Sequence, residues 1–337
     1  MKNKFFVTLF SCFLILVLSS EAISADQFNF DVTEIEILEN GNKFKGLKRG
    51  KITTNDGIII ESDNFEYDKS SNILNAKGNV VIEDTIKNYI MYSDDVTYFR
   101  NDEKIITIGE TTAEINPKYT IKSKNITFLK DQQILMSYDK TSVKDLNTLI
   151  FLDEFLYNLK SFELRGKNIL AITNHGLPKS DKFYFSNGIV NLNSKEFIAK
   201  DTKVELHENI FDKSKNDPRI KGVSSKGKDN ITKVKKAIFT SCGKKDGCPP
   251  WSIMAQEITH DKEKKQILYD HAILRIYDLP VLYFPKFFHP DPTVVRQSGF
   301  LKPQLNDSNN VGSSITIPYF GVISDDKDFT FVTTLFD

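Results

Sequence analysis

CPPWSIMAQEITHDKEKKQILYDHAILRIYDLPVLYFPKFFHPDPTVVRQSGFLKPQLNDSNNVGSSITIPYF, from Cys248 to Phe320, packs turn residues, aromatics and prolines more densely than any other part of the chain. Up to Pro280 its apolar residues alternate in short runs. After Arg296 they alternate again in a different register, and the bridge from Pro280 to Pro292 between them is studded with prolines. Alternation on both sides of a proline-rich bridge predicts a junction between two all-β bodies.

Upstream, from Asp26 to Lys236, period-2 segments are separated by Asp, Asn, Lys, Ser and Gly turns. The unit repeats: Ser62-Asp63-Asn64-Phe65, Ser93-Asp94-Asp95-Val96 and Ser123-Lys124-Asn125-Ile126 each precede an alternating strand and a charged turn. Weaker copies stand at Leu152-Asp153-Glu154-Phe155 and Ser186-Asn187-Gly188-Ile189. Evenly repeated strand-turn-strand units stack so that neighbours bury one another's apolar face. No window holds a helical apolar stripe, and even the most helix-like, Leu149 to Leu170, fits strands better. Aromatics are plentiful, with 26 Phe and 12 Tyr, which suits strands. An interior face of this kind is either an ordinary sandwich core or a groove left partly unfilled for acyl chains. Ile58, Ile60, Phe65, Tyr67, Val80, Ile82, Ile121 and Phe128 are the residues expected to line such a groove.

The N-terminus has Lys2 and Lys4, an apolar run from Phe5 to Leu18, and small residues up to Ala25. This layout predicts a secretory signal over residues 1–25. A lipobox reading at Leu9-Phe10-Ser11-Cys12 is disfavoured because the apolar run continues past Cys12. Lys+Arg 45 balance Asp+Glu 45, so no global field points to nucleic acid. From Lys213 to Lys236 lysines crowd among Gly, Ser and Asn, which reads as a solvated turn region or, as the rival reading, a phosphate-facing patch.

Catalytic chemistry finds no foothold. The five histidines, His175, His207, His260, His271 and His289, sit in no HExxH helix, nucleophile elbow or phosphate loop, so no catalytic residue, metal or cofactor is expected. Cys242 and Cys248, in an exported chain, are disulfide candidates. A zinc site with His260 and His271 is the rival, although its spacings are wide for one.

The junction resembles the LPS-assembly protein LptD family, also called organic solvent tolerance proteins. The matching residues are a Cys followed by Trp251, the run Pro280-Val281-Leu282-Tyr283-Phe284-Pro285, Arg296 with Ser298-Gly299-Phe300-Leu301 and Pro303, and Ile317-Pro318-Tyr319. The resemblance implies a repetitive periplasmic β-jellyroll, similar to LptA and OstA domains, over residues 26–241. A cysteine-bearing junction over 242–295 and the first strands of an outer-membrane β-barrel over 296–337 would follow. About three such strands are too few to close a barrel, so the sequence reads as truncated early in it.

By the same resemblance the function is lipopolysaccharide assembly in the outer membrane. The implied partners are lipopolysaccharide, an LptE-like lipoprotein plug inside the barrel and an LptA-like periplasmic bridge protein. Pro303 and Pro318 would loosen a lateral gate into the bilayer, whereas without the resemblance each is simply a strand end. In the family the cysteine before the tryptophan pairs with one near the far end of the barrel, and this chain has no later cysteine. That leaves a local Cys242–Cys248 bridge or an unpaired thiol. Two other classes stay open: a soluble periplasmic lipid-binding or bridging β-jellyroll, and a secreted hydrolase on a β-solenoid, which would need a carboxylate or histidine cluster on one face.

Overall fold

The computed structural model describes residues 28–336 apart from 116–117, 178–179, 207–216, 244–248, 292–293, 295, 302 and 309–311. The expected signal segment and Cys248 therefore lie outside the described residues. What is described is all-β and antiparallel, with short 3-10 turns at Glu39–Gly41 and Arg100–Asp102.

The strands form two walls. One wall pairs Asn29–Val32, Gly50–Thr53, Ile58–Ser62, the second half of Ile73–Asp84 and the first half of Tyr89–Phe99 in succession. It continues through Glu110–Ile115, Tyr119–Lys124, Thr141–Lys144 and Thr148–Leu152 to the second half of Glu163–Thr173. The other wall pairs Ile35–Leu38, Lys43–Gly46, Asn64–Asp68 and the remaining halves of the same two long strands. Lys104–Ile108, Thr127–Leu129, Ile134–Ser137, Glu154–Asn158 and the first half of Glu163–Thr173 complete it. From Glu163 to Pro290 each strand is long enough to cross both walls: Lys182–Asn191, Phe197–Glu205, Arg219–Lys228, Ile231–Thr240, Trp251–Asp261, Gln266–Ile276 and Leu279–Pro290 follow in order. The result is a trough, folded along one spine and open along the other side.

The spine is where each ladder breaks. Gly78 and Asn79 interrupt the register between Lys77 and Val80, and Asn168, Asp201, Lys236 and His271 are each skipped between paired neighbours. All six have positive φ, as residues at strand bends do. The five copies of the sequence repeat mark this line. Asp63, Asn125 and Asp153 sit between strands of opposite walls, and Asp94 and Ser186 fall at the breaks within long strands. The backbone N–H of Asp63, Asn125 and Asp153 donates to the carbonyl of Gly78, Gly109 and Lys167 respectively. Buried hydroxyls run beside the bend, with Thr111 bonded to Ser93 and Thr107, Ser123 to Thr141, and Thr202 to Ser225. They supply partners for polar groups that the interrupted ladder cannot.

Inward residues fill the trough. One core joins both walls from Phe28 to Leu192, and a second runs from Phe183 to Ala272. The described part of the lysine-rich stretch, expected as a turn region, belongs to a hairpin, Arg219–Lys228 with Ile231–Thr240. Ile220, Val234, Ala237 and Phe239 alternate inward among its lysines and carry it into the second core.

A separate four-stranded sheet follows, made of Gly299–Phe300, Gln304–Ser308, Gly312–Ser324 and Lys327–Phe336. Ser298 to Leu305 alternates like a single strand, yet pairing is interrupted between Phe300 and Gln304. Pro303 stands at that interruption. Pro318 lies opposite, in register with Val332, and its carbonyl accepts from the Leu301 N–H at 2.8 Å. A proline there removes a donor where the ladder is already broken. Phe300, Leu305, Phe331 and Phe336 of this sheet are exposed.

Gly78 tests the bend. Its φ is +79°, and a Cβ there would sit 2.9 Å from an Asp63 carboxylate oxygen. Gly78→Ala should lower stability by about 1–3 kcal/mol in chemical denaturation. An unchanged midpoint would show that the bend does not require this backbone.

Candidate functional site

The two cores do not meet cleanly. Ile73–Asp84 and Tyr89–Phe99 send Leu74, Val80, Ile82, Tyr89, Met91 and Tyr98 inward, and that half of the trough is filled. Across Glu163–Thr173, Lys182–Asn191 and Phe197–Glu205 the inward positions include Ala171, Gly188 and Ala199, with Gly188 paired directly to Ala199. Gly188 and Ala199 sit side by side in one wall and Ala171 lies in the other, so side-chain volume is missing from both walls. There the structure holds a cavity of about 620 Å³, lined by Ile150, Ile169, Phe183, Phe185 and Val190 among others. Its size falls within the roughly 300–1,000 Å³ of small-molecule pockets, and its lining is largely apolar.

All eight residues that the sequence singled out for a groove point inward and are 0–7 % exposed. The structure brings them together in the first core, where they pack against one another; none lines the cavity. The cavity residues carry no sequence signal of their own, since Ala and Gly in an alternating strand look the same whether or not a void lies beneath them.

The open side of the trough is clasped. Turns of one wall carry Asp56, Asp145 and Asp181, and turns of the other carry Arg100, Lys130, Lys195 and Lys262. Asp56 pairs with Lys130 and with Arg100 Nη1, the latter at 3.3 Å, while Lys130 also reaches Glu103 at 2.9 Å. Asp145 pairs with Lys195. Asp181 pairs with Lys262 at 3.1 Å. Beside the second clasp the Tyr119 hydroxyl donates to the Leu192 carbonyl, tying the same two walls together.

The clasps differ electrostatically. Partial burial works to raise the Asp56 pKa, yet hydrogen bonds from Lys130 and Thr54 and the charges of Lys130 and Arg100 outweigh it and hold it at about 2. Burial likewise opposes the charge on Lys195, but hydrogen bonds to Asp145 and Tyr119 raise its pKa; those to Lys195 and the Asn147 and Thr148 amides depress Asp145 against its own burial. Lys130 is 8 % exposed at its side chain and Lys195 46 %, so the first clasp is fixed and the second wet.

Further along, His260 pairs with buried Asp291, and Tyr269 Oη lies 2.6 Å from His289 Nε2. Burial lowers the pKa of His289. His271 turns outward to Tyr283 at 2.6 Å, so the two histidines of the zinc alternative have different partners. Among the described residues no three candidate metal ligands come together. Cys242 is half-buried, its Sγ 3.8 Å from the Trp251 carbonyl; its pairing with Cys248 lies outside the described residues.

Asp56 makes the clasp testable by pH. Its folded pKa, about 2, lies below the unfolded value of about 3.9, so its contribution is present above pH 4 and fades as the pH falls through 2. Because the carboxylate is more than a third exposed, solvent screening reduces that contribution to about 1 kcal/mol. Asp56→Asn should be less stable than the parent by about that much at pH 7, with the gap shrinking between pH 4 and 2. A gap independent of pH would contradict the ionic clasp.

Comparison with known proteins gives the following. No family model matches the chain. It is 37 % identical over 103 residues to the LPS-assembly protein LptD of Legionella pneumophila (strain Paris), covering 31 % of this chain and 12 % of that protein. It is 32 % identical over 143 residues to LptD of Hahella chejuensis, covering 42 % and 17 %, and 30 % identical over 129 residues to LptD of Nitrosomonas eutropha, covering 35 % and 17 %. The matches thus span less than a fifth of the length of these curated relatives. The crystal structure of LptH of Pseudomonas aeruginosa, described as the LptA-homologous periplasmic component of the lipopolysaccharide transport device, aligns with a TM-score of 0.28 at 17 % identity, covering 30 % of this chain and 76 % of that one.

Proposed function

We propose that this chain acts in lipopolysaccharide transport and assembly at the outer membrane, as part of a protein of the LptD kind. The observation that carries the reading is an apolar cavity enclosed between the walls of a one-sided β trough, in a chain whose sequence resembles LptD proteins. Acyl chains lie between the walls, where apolar surface is removed from water, and sugars and phosphates stay outside the open side. Ile58, Ile60, Phe65, Tyr67, Val80, Ile82, Ile121 and Phe128 form the path through the first half as the walls part, and the cavity is its resting place further on. No catalytic step is part of this reading.

Lipid arrives at the N-terminal end. Ile35–Leu38 is paired on one side by Lys43–Gly46, and Ile37 is 61 % exposed, so this strand offers a bridge protein of the LptA kind an edge for β-augmentation. It leaves by way of Leu279–Pro290 toward the four-stranded sheet, which we read as the beginning of a membrane barrel housing an LptE-like plug. Pro303, at the break in pairing, and Pro318, on the neighbouring strand, act there as a lateral gate. The exposed Phe300, Leu305, Phe331 and Phe336 favour this over a soluble periplasmic lipid-binding or bridging jellyroll, which would show such a patch to water.

A photo-crosslinking residue at Phe185 in the full-length protein should capture lipopolysaccharide in cells, with further adducts from Phe65, Val80 and Ile121 as chains pass the first half. Adducts only from an outward position such as Lys200 would remove the interior path.

A further inference from the structure

A lipid whose chains lie inside the trough and whose head lies outside must cross every clasp that spans the opening as it moves along. The three clasps are not equally able to yield. Lys130 is buried between two carboxylates, Asp56 and Glu103. Lys195 is half-exposed and lies directly at the rim of the cavity with Lys118, both on the Tyr119 ring, at 5.1 and 5.5 Å from its centre. Its partner does not depend on it. The Asp145 Oδ1 accepts from the backbone N–H groups of Asn147 and Thr148 at 2.8 and 2.7 Å, and only Oδ2 takes the lysine. If Lys195 leaves, Asp145 keeps two hydrogen bonds and is not left as a bare buried charge.

Lys118, Lys195 and Asp145 are the charged groups among the described residues lining the cavity, a net excess of one positive charge over an apolar void. That pairing of chemistries suits an amphiphile with an anionic head. We propose that Lys195, aided by Lys118, forms a headgroup site: Lys195 exchanges Asp145 for a phosphate of the lipid whose chain occupies the cavity, so that opening the clasp and binding the head are one event. The inference rests on the interior-path reading above and adds the residues that sort and position the head. Phosphate oxygens suit an ammonium with three donors, whereas a neutral sugar head offers no charge to replace Asp145.

The test titrates the purified full chain with dodecyl phosphate, dodecyl maltoside and inorganic phosphate, the amphiphiles below their micellar concentrations, by calorimetry. Dodecyl phosphate should bind roughly tenfold more tightly than the maltoside, as one charge-assisted hydrogen bond allows, and inorganic phosphate alone far more weakly than either. Lys195→Gln should abolish the preference and Lys195→Arg keep it. Asp145→Asn should tighten dodecyl phosphate binding by about threefold or more, because it removes the competitor and retains the backbone hydrogen bonds. Weaker binding in Asp145→Asn, or a preference that survives in Lys195→Gln, would overturn the exchange and make the clasp purely structural. Equal affinity for both amphiphiles would overturn the headgroup site and leave the apolar cavity standing. Failure of both to bind would remove the cavity reading itself. Binding of inorganic phosphate as tight as that of dodecyl phosphate would overturn the coupling of head to chain. Circular dichroism of each variant confirms that the fold persists.

Discussion

Everything in the trough depends on one interruption per strand. A strand that ran straight would give a flat sheet with two exposed faces. A single residue left out of the ladder, as at Asn168, Asp201, Lys236 and His271, lets the strand turn and face its own second half. Because neighbouring strands break at adjacent positions, the bends align into a spine and two walls confront each other. The local cost is the positive φ of non-glycine residues and the lost ladder bonds, offset by hydroxyl pairs such as Ser123 with Thr141 and Thr202 with Ser225.

Facing walls make the interior a matter of paired volumes. Tyr89 and Phe128, with ring centres 5.1 Å apart, fill the gap where large residues meet. Gly188 and Ala199, side by side in one wall, and Ala171 in the other leave it open. The same geometry sets the turns of the two walls opposite each other along the mouth, where carboxylates on one side find cations on the other. A trough of this build encloses apolar matter without closing into a barrel, and its mouth is held by contacts that water and ions reach to different degrees.

Much of this architecture was legible. Alternation marked the strands, and the Ser-Asp-Asn-Phe repeat marked the spine, although it read only as the start of each strand-turn-strand unit because a bend inside one strand and a turn between two leave the same local residues. The lysine-rich run was misread as a turn region because charge masked the inward Ile220, Val234 and Phe239. The cavity and clasps were not legible at all. Gly188 meets Ala199, and Asp56, Asp145 and Asp181 meet lysines 74, 50 and 81 residues away, only once the register is known. The break between Phe300 and Gln304 was likewise hidden in a stretch that alternates like a strand.

The central claim is that lipid moves along the trough with chains between the walls and heads beyond the mouth. The most direct measurement tethers the mouth: Asp181→Cys and Lys262→Cys in the full-length protein, joined by a short bismaleimide, with delivery of lipopolysaccharide to the cell surface followed before and after. The account predicts normal delivery from the untethered double variant and a stall once the tether spans the opening, since a head outside cannot pass it. Delivery at the untethered rate through a fully tethered mouth would contradict it.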